Sequence, residues 1–235
     1  TPQIYASASI KYEWDKVRAL YGCDITSYLM ADFSMGSAEE CLPAYFPVGE
    51  AASEDRVQNI MKNMNNGLPL CYDYDDFNSQ HSFTGQSAVI WAWISVFKHT
   101  LSEEQVAAAI WTAKSIDHQW AHITDKDVNV TVDGGLFSGW RHTAFMNTVL
   151  NRVYLEWAGL QQHVLYSIHN GDDVYATISW FDDGIELINK AKKLGIRAQV
   201  SKMNIGTIAE FLRVDGLAYE PTGAQYLTRA CTTAV

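Results

Sequence analysis

Two different spacings of hydrophobic and polar residues separate predicted strands from predicted helices along the chain. In residues 16–21 charged and apolar residues alternate, so on a strand the side chains of Lys16 and Arg18 would share one face. Residues 68–74 form an apolar run that ends in acids, which predicts a buried strand that delivers carboxylates at its end. Residues 38–67 mix glycine, proline and asparagine with short apolar pieces, which favours loops and one short helix.

Local capping signals mark the ends of two predicted helices. One helix begins at Ser102, where Gln105 completes a capping box three residues later. The other begins near Asp183 and ends before Gly195, because glycine commonly follows the last helical turn.

A further helix is predicted after the glycine-rich loop at residues 134–139. The polar residues Thr143, Asn147 and Asn151 recur every four positions and form one stripe. A separate apolar face consists of Phe145, Met146, Val149, Leu150, Val153 and Trp157.

The last third of the chain carries hairpin signals. Asn170 and Gly171 predict a tight turn between a strand at 163–169 and a returning strand at 174–178. Further strands are predicted at 196–200, 210–214 and 217–219, the last two joined by a turn at 215–216. This order of elements predicts an α+β fold.

The composition supports a packed domain and restricts its function. The 235 residues are 48% hydrophobic and 19% charged, which excludes a disordered chain. No uninterrupted apolar run of about 18 residues occurs, so we expect no membrane span. The four cysteines form no CxxC pair and are interpreted as free thiols. The net charge of −10 has the wrong sign for a general nucleic-acid-binding surface, so such a function needs local positive charge or metal ions.

A pair of acids, Asp172 and Asp173, directly follows the Asn-Gly turn signal. If Asp73 at the end of the earlier strand lies beside them, carboxylates from two elements meet and suit Mg²⁺ or Mn²⁺. The alternative is ordinary turn chemistry, since aspartate and glycine favour turns for backbone reasons.

A second group consists of the polar residues Ser138, Thr143 and Asn147 together with Gly139. Hydroxyl and amide groups at this helical spacing can recognise a ribose hydroxyl, which both donates and accepts hydrogen bonds. A capped helix with a polar face would carry the same residues.

A third group consists of the cations Lys11, Lys16 and Arg18. Converging cations would bind a triphosphate, whereas a solvated strand face would carry them equally well.

Taken in order, these segments resemble the motif series of viral RNA-dependent RNA polymerases. The segments are KYEWDKVRALYG, DYDDFNSQHS, GGLFSGWRHTAFMNTVLN, IHNGDDV, AKKLGIRAQVSK and EFLRVDG, which match motifs F, A, B, C, D and E. The amino-acid sequences of the second and third segments are most similar to those of totivirus polymerases. Totiviruses are double-stranded RNA viruses. The resemblance implies an α+β polymerase palm, with an antiparallel sheet on helices and an RRM-like core, together with part of the fingers.

The resemblance also implies a role for each matching residue. Asp73 and Asp172 would hold two Mg²⁺ or Mn²⁺ ions, and Asp173 would assist at the same site. Lys202 would donate a proton to the leaving pyrophosphate, and residues 210–213 would form the primer-grip hairpin. The nucleotide-binding residues would be Lys11, Lys16, Arg18, Asn78, Ser138, Gly139, Thr143 and Asn147.

On this interpretation the chain is the core of a larger RNA-directed RNA polymerase, a nucleotidyltransferase for viral genome replication and transcription. Residues 1–67 would belong to the fingers, 68–219 to the palm with a fingers insertion at 82–133, and 220–235 to the start of a C-terminal region. The expected partners are NTPs, RNA template and primer, and a viral capsid protein, in the virion interior or host cytoplasm. The alternative is a non-catalytic RNA-binding or capsid-associated module derived from a polymerase.

Overall fold

A computed structural model describes residues 1–12, 17–64, 66–206 and 208–216 of the chain. The strands are β1 Ile4–Tyr12, β2 Val17–Cys23, β3 Leu68–Tyr72, β4 Gln119–Ile123, β5 Val128–Thr131, β6 Tyr166–Asn170, β7 Asp173–Ile178, β8 Asn204–Ile205, β9 Glu210–Phe211 and β10 Val214–Asp215. The α-helices are α1 Ile25–Met35, α2 Glu54–Asn63, α3 Phe83–Phe97, α4 Glu103–Ser115, α5 Thr143–Trp157, α6 Leu160–His163 and α7 Phe181–Lys193. Helices and strands thus mix in the α+β manner that the sequence predicts.

The chain divides into two compact units. The first unit comprises Thr1–Ala38 and Phe77–Leu150, and the second comprises Glu39–Asp76 and the described residues from Asn151 onward. These units are defined by which residues pack together. The predicted division into fingers and palm describes functional regions of a polymerase and stays a prediction.

The first unit contains a sheet with the strand order β2-β1-β4-β5. The sequence predicts only β2 of these strands. Strand β1 buries Ile4 and Ala6 but is otherwise built from small or exposed residues, so its hydrophobic alternation is weak. Strand β1 pairs with β4 in parallel across more than a hundred residues, and this pairing completes the sheet. The capping box of Ser102 and Gln105 at the start of α4 is confirmed.

The second unit contains a sheet with the strand order β6-β7-β3-β8, all antiparallel. The predicted hairpin of β6 and β7 is confirmed, and Gly195, with a φ of 81°, follows the end of α7 as expected. One core cluster joins α2, the sheet and the β9–β10 hairpin through Val57, Met61, Met64, Ile168, Tyr175, Ala209, Phe211 and Val214. This cluster sets the position of the hairpin against the sheet.

Two predicted strands differ from the structure. The strand predicted at 163–169 begins only at Tyr166, because residues 160–163 form the short helix α6. The strand predicted at 196–200 is replaced by a single antiparallel bridge between Tyr74 and Ala198 and a 3-10 helix at Val200–Lys202. A single bridge is enough to hold this segment beside the end of β3.

The turn of the last hairpin also differs from the prediction. Phe211 pairs with Val214, so the turn residues are Leu212 and Arg213, with φ values of 49° and 70°. Burial of Phe211 and Val214 overrides the weak turn propensity of these two residues. The strand predicted at 217–219 lies outside the described residues.

Helix α5 is confirmed, but its predicted apolar face is wrong at the C-terminal end. Val153 and Trp157 are 47% and 68% exposed, whereas Asn151 is fully buried. The buried face of α5 therefore includes Asn151, which the sequence places on the polar stripe with Thr143 and Asn147. Within the described residues, no helix combines the length and hydropathy needed to cross a membrane.

Candidate active site

Asp73 directly follows the last residue of β3 and lies at the edge of the second unit's sheet. Its backbone carbonyl accepts a hydrogen bond of 2.9 Å from the amide of Gln199. The amide of Asp75 donates to the carbonyl of Arg197 at 3.1 Å. These two bonds hold the backbone on which the Asp73 carboxylate is presented.

Asp172 and Asp173 lie at the tight turn between β6 and β7. Asn170 pairs with Asp173, which leaves Gly171 and Asp172 as the two central residues of the turn. Gly171 has a φ of 59°, a conformation that favours glycine at the first central position of hairpin turns. Strand β7 is the antiparallel neighbour of β3, so the turn lies at the same sheet edge as the end of β3.

The electrostatics of Asp173 reflect this convergence of acids. Its pKa is raised to about 6, first by partial desolvation of the carboxyl group and then by the nearby charges of Asp172, Asp73 and Glu210. Arg213 acts in the opposite direction and lowers the pKa. Nearby acids make this carboxyl group difficult to ionise. A bound cation would offset their negative charge and favour the ionised form.

This donor set fits a hard divalent cation. The acids contribute only carboxylate oxygens, which Mg²⁺ and Mn²⁺ prefer. Across the parts of the chain that the structure describes, no three His, Cys, Asp or Glu side chains form a ready cluster of metal ligands. Mg²⁺ usually retains waters and substrate phosphates as ligands, so an open set of carboxylates is compatible with it.

The β9–β10 hairpin brings Glu210 to this group, although the sequence predicts only a primer-grip role for the segment. The Sγ atom of Cys71 lies 3.4 Å from the carbonyl oxygens of Ile208 and Glu210, and the amide of Glu210 approaches it to 3.3 Å. The apolar side chains of Phe211 and Val214 anchor the hairpin in the core. The sequence contains no local signal for this docking.

In the first unit, Asn78 and Asn147 are joined by their side chains. The Nδ2 group of Asn147 donates to Oδ1 of Asn78 at 2.8 Å. The Oδ1 atom of Asn147 lies 2.7 Å from Nε2 of His81, which therefore acts as the donor. His81 is 1% exposed, and burial lowers its pKa to about 4, so it is neutral at neutral pH. His81 lies inside the DYDDFNSQHS segment, but its residue type and position give no signal for this role.

The loop that precedes α5 is held against the end of β2. The amide of Tyr21 donates to Oγ of Ser138 at 3.2 Å. A Cβ atom on Gly139 would lie 2.2 Å from the carbonyl oxygen of Tyr21, so only glycine permits this approach. Thr143 donates its hydroxyl to two carbonyl oxygens of the same loop, each at 2.8 Å. Ser138, Gly139 and Thr143 thus form part of the framework of this loop.

Lys11 and Arg18 are directly opposite each other on the antiparallel strands β1 and β2, and both are exposed. Residues in opposite positions of paired strands lie on the same face, so the two cations lie side by side, and their binding of a triphosphate stays a prediction. Lys16 lies outside the described residues. Lys202 is exposed and lies in the 3-10 helix at Val200–Lys202.

The family to which the chain belongs defines its class, the viral RNA polymerases. The chain belongs to the viral RNA-directed RNA-polymerase family, whose profile matches residues 1–235. The predicted family is therefore confirmed.

Individual relatives are totivirus-type proteins. The chain is 52% identical over 232 residues to the probable RNA-directed RNA polymerase of Saccharomyces cerevisiae virus L-BC, covering 99% of this chain and 15% of that protein. It is 40% identical over 239 residues to the corresponding protein of Saccharomyces cerevisiae virus L-A, covering 100% of this chain and 16% of that protein. The chain thus spans about a sixth of the length of these relatives.

Solved structures confirm the fold. The RNA-dependent RNA polymerase of a human picobirnavirus superposes with a TM-score of 0.64 and 15% identity, covering 87% of this chain and 41% of that one. Its insertion-loop deletion mutant superposes with a TM-score of 0.60 and 16% identity, covering 87% and 42%.

Proposed function

We propose that this chain carries the catalytic core of an RNA-directed RNA polymerase, which transfers nucleotides from NTPs to the 3′-hydroxyl of RNA. The observation that carries this proposal is the convergence of Asp73, Asp172 and Asp173 at one sheet edge, where desolvation and then the acidic neighbours raise the pKa of Asp173. Carboxyl groups with perturbed pKa values cluster at functional sites, and the chain belongs to a polymerase family, so both observations support a catalytic role for these acids.

Asp73 and Asp172 would hold two divalent ions, Mg²⁺ or Mn²⁺, and Asp173 would assist as a further ligand. Such ions, when bound, supply activation of the attacking hydroxyl and stabilisation of the leaving pyrophosphate. The carboxylates place negative charge at the sheet edge. The backbone amide of Gln199 donates a hydrogen bond to the carbonyl oxygen of Asp73 and so stabilises the backbone at this residue. Lys202 would donate a proton to the pyrophosphate.

In the first unit, Asn78 and Asn147 would recognise the ribose 2′-hydroxyl of the incoming nucleotide. His81 orients the Asn147 amide, so that its Nδ2 group faces Asn78. Ser138, Gly139 and Thr143 would maintain the loop beside this pair. Lys11, Lys16 and Arg18 would bind the triphosphate.

Membership of the family supports a proposal about the biological role. We propose replication and transcription of a double-stranded RNA genome, with RNA template and primer as partners. A viral capsid protein would be a further partner, and the virion interior or host cytoplasm the location.

Two of the three Asp-Asp pairs of the chain, at residues 172–173 and 182–183, provide a matched test. Incorporation of NTPs on a primed RNA template should require Mg²⁺ or Mn²⁺ in the natural full-length protein. The Asp172→Asn variant should lose this activity, because its side chain no longer carries the ligand charge. The Asp182→Asn variant alters an exposed acid in the first turn of α7 and should retain activity. Equal activity of the two variants would refute the assigned metal site, and a wild-type protein that binds RNA without turnover would support a non-catalytic module.

A further inference from the structure

Asn151 is fully buried in the second unit, although the sequence places it on the polar stripe of α5. A buried amide is costly unless its donors and acceptor are satisfied. The partners of Asn151 therefore indicate why this position carries an amide.

The side chain of Asn151 donates to the turn that carries the acids. Its Nδ2 group donates to the carbonyl oxygen of Gly171 at 3.0 Å and to that of Asp173 at 3.1 Å. These carbonyls belong to the residues on either side of Asp172. One amide group thus joins both sides of the turn.

The orientation of the Asn151 amide is itself determined by a buried chain of hydrogen bonds. The Nη1 group of Arg152 donates to Oγ of Ser167 at 3.0 Å, so the hydroxyl proton of Ser167 is directed to Nε2 of His169 at 2.9 Å. The Nδ1–H group of His169 then donates to Oδ1 of Asn151 at 2.8 Å. The hydroxyl of Tyr74 donates towards the backbone carbonyl oxygen of Asn151 at 3.0 Å and lies 3.3 Å from Oδ1 of the same residue.

The far end of this chain is held by two further contacts. Arg152 forms an ion pair with Glu156 one helical turn later. Its guanidinium also lies over the ring of Tyr45, 4.6 Å from the ring centre. Arg152 is therefore fixed, and the direction of each donor in the chain follows from it.

We propose that Asn151 is a positioning residue that sets the geometry of the Asp172–Asp173 turn for metal binding, and that His169 orients it. This inference rests on the proposed function, because it assumes that the acids bind a divalent ion. Neither alanine nor aspartate supplies the two N–H donors that the turn carbonyls accept. Residues that orient metal ligands typically change metal affinity by about 10–100-fold when altered.

The test is direct Mn²⁺ binding by the natural full-length protein, followed from the electron paramagnetic resonance signal of free Mn²⁺. The site of interest is the one that Asp172→Ala removes. Asn151→Ala should raise the Kd of this site by about tenfold or more. His169→Gln should raise it less, because Asn151 remains in place. In incorporation assays, the Mn²⁺ concentration for half-maximal rate should shift in parallel.

Thr112→Val is the matched control. Thr112 is a buried polar residue whose hydroxyl donates within α4 to the carbonyl of Ala108, in the first unit. Its loss should lower the stability of the chain and leave Mn²⁺ affinity unchanged. This result would separate positioning of the turn from general destabilisation.

An Asn151→Ala variant that folds and keeps its Mn²⁺ affinity within twofold of the wild type would overturn the inference, while the proposed function would stand if the wild type incorporates NTPs. If Asn151→Ala does not fold, His169→Gln decides, and an unchanged Mn²⁺ affinity overturns the inference. A wild-type protein that neither binds Mn²⁺ at Asp172 nor incorporates NTPs would instead refute the proposed function.

Discussion

Two asparagine–histidine pairs use residues four positions apart on α5, one in each compact unit. In the first unit, Asn147 accepts from His81 and donates to the side chain of Asn78, and both asparagines are half-buried. In the second unit, Asn151 accepts from His169 and donates only to backbone carbonyls, and it is fully buried. The same pair of residue types therefore serves two different arrangements.

The two asparagine amides differ in the groups to which they donate hydrogen bonds. A half-buried amide joined to another side chain can exchange part of its hydrogen bonding for a ligand hydroxyl. A buried amide joined to two carbonyls has no such freedom and fixes the backbone. We therefore expect changes at Asn147 to alter nucleotide selection and changes at Asn151 to alter metal binding.

The largest effect should come from the acids that the second pair supports. Asp73→Asn should lower nucleotide incorporation by about 10²–10³-fold or more, because a preorganised charge at the reaction is lost. Asp75→Asn changes an exposed acid two residues later and should have little effect on steady-state incorporation rates. Comparable losses in both variants would contradict the assignment of Asp73.

The difference between Asn147 and Asn151 can be tested by the preference for rNTPs over dNTPs. Asn147→Ala should reduce the preference for rNTPs over dNTPs by about tenfold, the value of one lost hydrogen bond in a partly buried site. Asn151→Ala should leave this preference unchanged, even where the overall rate falls. The ratio of kcat/KM for the two substrate types is the measurement, and equal changes in both variants would remove the distinction.

The pH dependence of metal binding should follow Asp173. Its pKa of about 6 means that the carboxyl is protonated at lower pH and cannot serve as a ligand. Mn²⁺ affinity should therefore decrease as the pH falls through about 6. An affinity that is constant from pH 7.5 to pH 5 would contradict the electrostatic assignment.

The same shift affects the metal-free protein in the opposite direction. The folded pKa lies above the ordinary value of 3.8, so folding favours the protonated carboxyl. The free energy of unfolding should decrease as the pH rises from 3.8 to about 6 because of this group. Asp173→Asn should remove that decrease, as measured by urea denaturation in the presence of a chelator.

The smallest effects should distinguish the two histidines. Burial is the main cause that lowers the pKa of His81 to about 4 and that of His169 to about 3, whereas an unfolded histidine titrates near 6.5. Each contributes stability that is lost as the pH falls below 6.5, by about 1.4 kcal/mol per pH unit. His81→Gln should reduce the loss of unfolding free energy between pH 6.5 and about 4. His169→Gln should reduce it between pH 6.5 and about 3. Urea denaturation at a series of pH values would reveal whether the two windows differ.

Features that depend on neighbouring residues could be predicted from the sequence. The capping box of Ser102 and Gln105 involves atoms within one helical turn, and the glycine at 171 is required by the turn itself. The spacing of Asn147 on α5 likewise follows from helical geometry. The identity of the family follows because many such local features occur in one order.

Features that depend on distant partners could not be predicted in this way. Strand β1 has little hydrophobic alternation and is completed by β4, which lies more than a hundred residues later. The β9–β10 turn forms at Leu212 and Arg213, because Phe211 and Val214 are buried against other elements. In both cases long-range packing outweighs local propensity.

Asn151 marks this boundary most clearly. The sequence by itself determines that residue 151 lies on a helix, four positions after Asn147, and that an acidic pair follows a tight turn at Gly171. Only the tertiary structure decides that Asn151 is buried and that its amide joins the carbonyls on either side of Asp172. The physical reason is that a buried polar group must satisfy its hydrogen bonds, and its partners are supplied by segments that meet only when the chain folds.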